Sequence, residues 1–100
     1  MRESDVEKYL VKRVKELGGD TRKLKWIGRR GAPDRFVMLY GGFFVELKAP
    51  GKVLRVEQEK ERTALNKAGI GVSVVDSFVS VDRCLAIQAE AYRISSGNWR

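Results

Sequence analysis

Residues 43–51 read Phe43-Phe44-Val45-Glu46-Leu47-Lys48-Ala49-Pro50-Gly51. Aromatic and branched side chains in a short run, closed by Pro-Gly, predict a strand from Phe43 to Ala49. The run Arg35 to Tyr40 has the same character, and Gly41-Gly42 lies between the two, so together they predict a hairpin. Downstream, Val56 to Ala68 predicts a helix closed by Gly69, with Ala64, Leu65 and Ala68 on its inner side. Gly71 to Asp76 then predicts a further strand carrying Val72, Val74 and Val75. A strand–helix–strand unit from Phe43 to Asp76 implies a parallel pair joined by a right-handed crossover. That unit decides the fold class.

Toward the N-terminus, Ser4 to Leu17 predicts a helix, because Val6, Leu10, Val14 and Leu17 recur at three- and four-residue spacing. Ser4 and Glu7 fit a capping box, and Gly18-Gly19 stops the helix. Thr21 to Ile27 predicts a basic strand, with Leu24 and Trp26 alternating with Lys23 and Lys25. Gly28-Arg29-Arg30-Gly31-Ala32-Pro33 predicts a basic loop. Toward the C-terminus, Ser80 is the expected N-cap of a last helix that places Val81, Cys84, Leu85 and Gln88 on one face, and the tail from Ser95 is expected to be loose. The order is helix, three strands, helix, strand, helix. This is an α/β chain with a mixed sheet of about four strands and flanking helices, expected to form one domain over residues 1–100.

Composition narrows the chemistry. Twenty Lys and Arg against 13 Asp and Glu give a net charge of +7. That excess suits a polyanionic partner, nucleic acid or an acidic membrane surface. There is one cysteine, Cys84, and no histidine. An internal disulfide, a zinc finger and any His-dependent triad are therefore excluded. An enzyme built from this chain works with carboxylates, lysine, tyrosine or a hard metal ion. No stretch is apolar enough for a membrane span, and Met1-Arg2-Glu3-Ser4-Asp5 is too charged for a signal peptide, so a cytoplasmic location is expected.

Asp34, Glu46 and Lys48 are the candidate reactive residues. Glu46 and Lys48 are two apart on one strand and so share a face, while Val45 and Leu47 point the other way. On so hydrophobic a strand the two charges are expected to be partly buried, which is costly unless they pair or bind a metal. Register decides whether Asp34 joins them. A two-residue Gly41-Gly42 turn would set Asp34 opposite Ala49, on the wrong face. A three-residue Tyr40-Gly41-Gly42 turn sets Leu39 opposite Phe43 and Asp34 opposite Lys48. The second arrangement, or an equivalent bulge, is a condition of a functional reading. Two carboxylates with a backbone carbonyl, that of Leu47, offer oxygen ligands to Mg²⁺ or Mn²⁺. Such a metal would polarise a phosphate and acidify a bound water, and Lys48 could hold that water or stabilise charge on the phosphate. The plainer alternative is a structural Glu46–Lys48 ion pair.

The run Gly31-Ala32-Pro33-Asp34, then Phe44-Val45-Glu46-Leu47-Lys48-Ala49-Pro50-Gly51, then Gln58 opening a helix, then Gly69 and Val72-Ser73-Val74-Val75 resembles the virus-type replication–repair nuclease (VRR-NUC) domain of the Pro-Asp…(Asp/Glu)-x-Lys superfamily. The resemblance covers nearly the whole chain. It implies a restriction-endonuclease-like core and a metal-dependent deoxyribonuclease. Asp34 and Glu46 match the metal-binding acids, Lys48 the catalytic lysine, and Gln58 the family's glutamine after the Glu-x-Lys strand. The family also carries a glutamate on its first helix, matched by Glu7 or alternatively Glu3. Stand-alone members, encoded by phages or bacteria, resemble Holliday-junction resolvases, which implies a homodimer acting on branched or structured DNA. A small core and the two-fold symmetry of a four-way junction fit a dimer.

Lys25, Arg29, Arg30, Arg35, Lys52 and Arg55 flank these motifs and are the candidate phosphate contacts. Trp26 and Tyr40 could stack on bases but are more often core residues at such positions. No helix-turn-helix or zinc module is present, so recognition is expected through DNA shape and backbone. Two other readings stay open: a non-catalytic basic binding module, and a nuclease of the same fold acting on other DNA forms.

Overall fold

The apolar stripe of the first helix sets the core. In the computed structural model, which describes residues 1–97, α1 (Glu3–Glu16) buries Val6, Leu10 and Val14 completely. They pack on a four-stranded sheet of β1 (Asp20–Lys23), β2 (Arg35–Met38), β3 (Phe43–Leu47) and β4 (Val72–Val75). The strands lie in sequence order. β1–β2 and β2–β3 are antiparallel; β3–β4 is parallel, connected through α2 (Val56–Lys67). The last helix, α3 (Phe78–Gly97), lies beside α1. The order α-β-β-β-α-β-α and the mixed sheet are those expected from the sequence. Among the described residues, no helix is long and apolar enough to cross a membrane.

Strand alternation divides the side chains between two faces. Val37, Phe43, Val45, Leu47 and Val75 join the α1 stripe and Val81, Cys84 and Leu85 of α3 in one cluster. Fully burying a Val or Leu contributes roughly 1.5–3 kcal/mol relative to exposure, so this face anchors α1 and α3. The opposite face carries Phe36, Phe44 and Glu46 and meets α2. That helix lacks an apolar anchor of the same kind. Its buried residues are Gln58 and Glu61, while Leu65 is half-buried and Ala64 and Ala68, expected inside, are exposed. Polar contacts hold α2 where the sequence predicted apolar ones.

Several boundaries differ from expectation for local reasons. The N-cap of α1 is Arg2, whose backbone N–H donates to Asp5 Oδ2 at 2.8 Å; the expected Ser4–Glu7 box does not form because Glu7 is turned toward Arg35. The cap of α3 is Ser77 in place of Ser80. The two serines bond reciprocally, Ser80 N–H to Ser77 Oγ at 3.1 Å and Ser77 N–H to Ser80 Oγ at 2.9 Å. β1 stops at Lys23, four residues early, after which Leu24 N–H donates to the Asp34 carbonyl and Trp26 leaves the sheet for α2. Ser95 to Gly97, expected loose, continue α3; the rest of the expected tail, with Trp99, lies outside the described residues.

The hairpin loop is longer than three residues. Val37 pairs with Phe43 and Arg35 with Val45, leaving residues 38–42 to turn the chain. Tyr40, Gly41 and Gly42 all have positive φ, at 54°, 83° and 90°, and Gly42 N–H closes on the Leu39 carbonyl at 3.0 Å. Leu39 and Tyr40 are drawn out of the ladder because they pack against the core cluster. A side chain at Gly42 would meet Phe36 Cζ at 2.5 Å, so glycine is required by space as well as by φ. The register passes Arg35↔Val45 and continues to set Asp34 across from Glu46, not Lys48. The shift is two residues, an even number, so the face is conserved.

Candidate active site

Where β2 begins and β3 ends, the two carboxyl groups come together. Pro33 is fully buried and fixes the approach to Asp34. Asp34 Oδ2 accepts the Leu47 backbone N–H at 2.7 Å, taking the place of the next rung of the ladder. Glu46 is 2% exposed. Burial above all, then the adjoining Asp34 carboxylate, hydrogen-bonded to it and like in charge, push the Glu46 carboxyl up to about 9; Lys48 pulls the other way, and Glu3 adds to the rise. Lys48 is itself buried, at 8% exposure, and enters none of the ion pairs found among the described residues.

Gln58 connects this pair to α2. Its Oε1 accepts the backbone N–H of Arg55, the N-cap of the helix, at 2.9 Å. Its Nε2 donates to Glu46 Oε1 at 3.1 Å. Capping the helix therefore fixes which end of the amide faces the acid. A cavity of about 360 Å³ opens beside it, lined by Arg30, Gly31, Arg55, Glu57 and Gln58. Gly31 has φ of 90°, and a side chain there would strike the Glu57 carbonyl oxygen, so the basic loop lies directly on the start of α2.

The first-helix acids separate. Glu7 forms an ion pair with Arg35 Nε at 3.0 Å, and Arg35 Nη1 also donates to Thr21 Oγ1 at 2.9 Å. Both charged side chains are mostly buried, at 24% and 17% exposure. Arg35 shares the Val45 face of the sheet, away from Asp34 and Glu46. It is thus occupied by Glu7 and Thr21 and turned from the Asp34–Glu46 side of the sheet. Glu3, one turn earlier, adds a minor like-charge contribution to the rise at Glu46.

Lys25, Arg30, Lys52 and Arg55 are exposed, as DNA contacts would need to be. Arg29 is exposed too, but its guanidinium is held by Glu61 at 3.0 Å. Sequence reasoning missed Glu61. It is 7% exposed and accepts the Trp26 indole N–H as well. Its three-residue spacing from Gln58 puts both on one face of α2, and that spacing was the available signal. Trp26 packs edge-on to Phe44, and Tyr40 lies near Tyr92 at the hairpin.

Among the described residues, no three His, Cys, Asp or Glu side chains converge as a metal cage. The oxygen donors at hand are the Asp34 and Glu46 carboxylates and the Leu47 carbonyl. A buried carboxyl and a half-buried one beside it, sharing too little positive charge, are a donor set that a hard divalent cation would relieve.

Comparisons with known proteins bear on the family and fold. No family model matches the chain. The chain is similar to "Putative nuclease p44" of Acyrthosiphon pisum secondary endosymbiont phage 1, 44% identical over 79 residues, which is 77% of this chain and 85% of the relative. A solved structure described as a VRR_NUC domain matches at TM-score 0.77 and 39% identity, covering 84% of this chain and 94% of that one. The chain therefore belongs to the VRR-NUC family, with that family's nuclease fold.

Proposed function

We propose that the chain is a single-domain, Mg²⁺- or Mn²⁺-dependent DNA endonuclease that acts as a homodimer on branched or structured DNA, four-way junctions included, in the cytoplasm of the cell that makes it. The observation that carries the reading is the half-buried Asp34 carboxyl set against the buried Glu46 carboxyl, with Lys48 two residues on and Gln58 fixed to Glu46. A structural ion pair would need only Glu46 and Lys48; it gives no reason to set a second acid against the buried first.

Asp34, Glu46 and the Leu47 carbonyl would hold the metal, with Glu3, since Glu7 is paired with Arg35, the acid of α1 left to add a charge. When bound, the metal polarises the scissile phosphate and acidifies its water. The chain's own groups do the rest. Asp34 is oriented by the Leu47 amide, and Gln58 holds the Glu46 carboxyl in one rotamer. Lys48, buried beside them, orients the attacking water and offsets negative charge growing on the phosphate. Arg30 and Arg55, lining the adjacent cavity, receive the DNA backbone, with Lys25 and Lys52 beyond them. Symmetric cutting of a junction needs two such sites related by a two-fold axis, which is the reason for the dimer.

The test is cleavage of labelled single-stranded, duplex, flapped and four-way-junction DNA with Mg²⁺, Mn²⁺ or EDTA, beside Lys48→Ala. Metal-dependent cutting that the variant loses, strongest on the junction, is expected. Intact DNA of every form, bound equally by both proteins, would leave a binding module and remove the catalytic reading.

A further inference from the structure

Ile27 is 99% exposed, more than any other large apolar residue among those described. Single exposed aliphatic side chains are ordinary on protein surfaces. What distinguishes Ile27 is the bracing around it. Trp26, immediately before, donates its indole N–H to Glu61, and Arg29, two residues after, donates from Nε at 3.1 Å to the other oxygen of the same carboxylate, completing an ion pair in which Nη2 lies 3.0 Å from that oxygen. Glu61 is itself buried on α2, so the two feet of the turn are pinned to one point in the fold. Gly28, at φ 73°, lets the chain reverse between them. A turn pinned in this way cannot collapse to cover Ile27, and the side chain is held out in water.

The tip also stands on the reactive side of the sheet. Trp26 packs edge-on against Phe44, which shares the Glu46 face, and the same loop runs on through Arg30 and Gly31, which line the cavity at Gln58, to Asp34. Exposed cations, Lys25 and Arg30, flank the tip at short sequence distance. An apolar point between phosphate-binding cations is the composition of a side chain that enters a base stack, where aliphatic wedges part neighbouring bases while cations hold the backbone.

We propose that residues 26–30 form a DNA wedge: Ile27 inserts between bases next to the scissile phosphate, and Glu61 is the positioning residue that holds it out. The proposal rests on the DNA-nuclease reading for its ligand but not on cleavage for its test. The test uses a four-way junction carrying 2-aminopurine at the branch, with two non-cutting forms, Lys48→Ala in Mg²⁺ and the native chain in EDTA. Unstacking raises the probe's emission. Binding is expected to raise it, and adding Ile27→Ser is expected to return it to that of free DNA while affinity falls less than about tenfold, because phosphate contacts supply most of the binding. Ile27→Met, apolar and of similar reach, should keep the rise. Glu61→Gln retains an acceptor for Trp26 but loses the charge that holds Arg29, and should reduce the rise partway. Ile27 is fully exposed, so its variants should fold as the native chain does. Equal emission with and without the Ile27→Ser substitution, or no rise on binding at all, overturns the wedge. Absence of cleavage by the native chain in Mg²⁺, with the rise present, removes the nuclease reading alone.

Discussion

Replacing Glu46 by glutamine should make the metal-free protein more stable near neutral pH while abolishing cleavage. In the folded chain the Glu46 carboxyl sits at about 9, against a usual 4.5 when unfolded. The folded state therefore keeps a proton that the unfolded state releases. Stability from this group is fully present below the unfolded value and is lost as pH rises toward the folded one. Each pH unit inside that window costs about 1.4 kcal/mol. Between about pH 5.5 and pH 7.5 the loss is about 3 kcal/mol, or ~10–20 °C in melting temperature for a domain of this size. The chain has no histidine, so few other side chains titrate there and the slope is unusually easy to assign. Urea unfolding in EDTA at several pH values measures it directly. The native chain should lose stability across the window; Glu46→Gln, which keeps the shape and an acceptor for Gln58, should be nearly flat and more stable at the upper end. Added Mg²⁺ should recover more stability for the native chain at pH 7.5 than at pH 5.5, because proton and metal compete for the same oxygens. A native chain whose stability does not change from pH 5.5 to 7.5 without metal would refute the reasoning, since the buried Glu46 carboxyl would then not be keeping its proton beside Asp34.

Arg35→Ala should destabilise the fold by about 2 kcal/mol, between the values for exposed and fully buried pairs, because it strands Glu7 and the Thr21 hydroxyl. Chemical denaturation reads that loss, and DNA affinity of the folded fraction should not change; an unchanged midpoint with weakened DNA binding would return Arg35 to the substrate surface. Gly31→Ala places a methyl group against the Glu57 carbonyl at a φ that disfavours it, and should lift the basic loop from α2. Its expected signature is a cost of about 1–3 kcal/mol with a raised KM, read by unfolding and steady-state cleavage, and native-like values of both would contradict the docking.

Much of this was legible because the signals were local. The α1 stripe, the Gly-Gly hairpin and the strand–helix–strand unit each lie within a short window, and period and turn chemistry suffice for them. Asp34, Glu46 and Lys48 were found as a group because strand alternation needs only parity, and parity survived an error in loop length. What escaped notice depends on partners far along the chain. Arg35 stands beside Asp34 in sequence yet pairs with Glu7, 28 residues away, on the other face. Glu61 looks like any acid on a charged helix until Trp26 and Arg29, 35 and 32 residues earlier, are folded onto it. The interior of α2 was misjudged for the same reason: alanine and leucine suggest an apolar face, but the helix lies over the charged end of the sheet and is seated by amide and carboxylate.

The hairpin loop at residues 38–42 carries a consequence for how such chains can change over generations. A strand's two faces alternate, so each residue gained or lost at that turn rotates Asp34 from one side of the sheet to the other. Insertions and deletions there are tolerable in pairs; a single one would carry the acid away from Glu46 unless a bulge arose to cancel it. Relatives that keep the chemistry should therefore differ in this loop by even numbers of residues, or show a compensating bulge in the adjoining strand. Spacing between the Pro-Asp and Glu-x-Lys motifs would then be a record of parity more than of length.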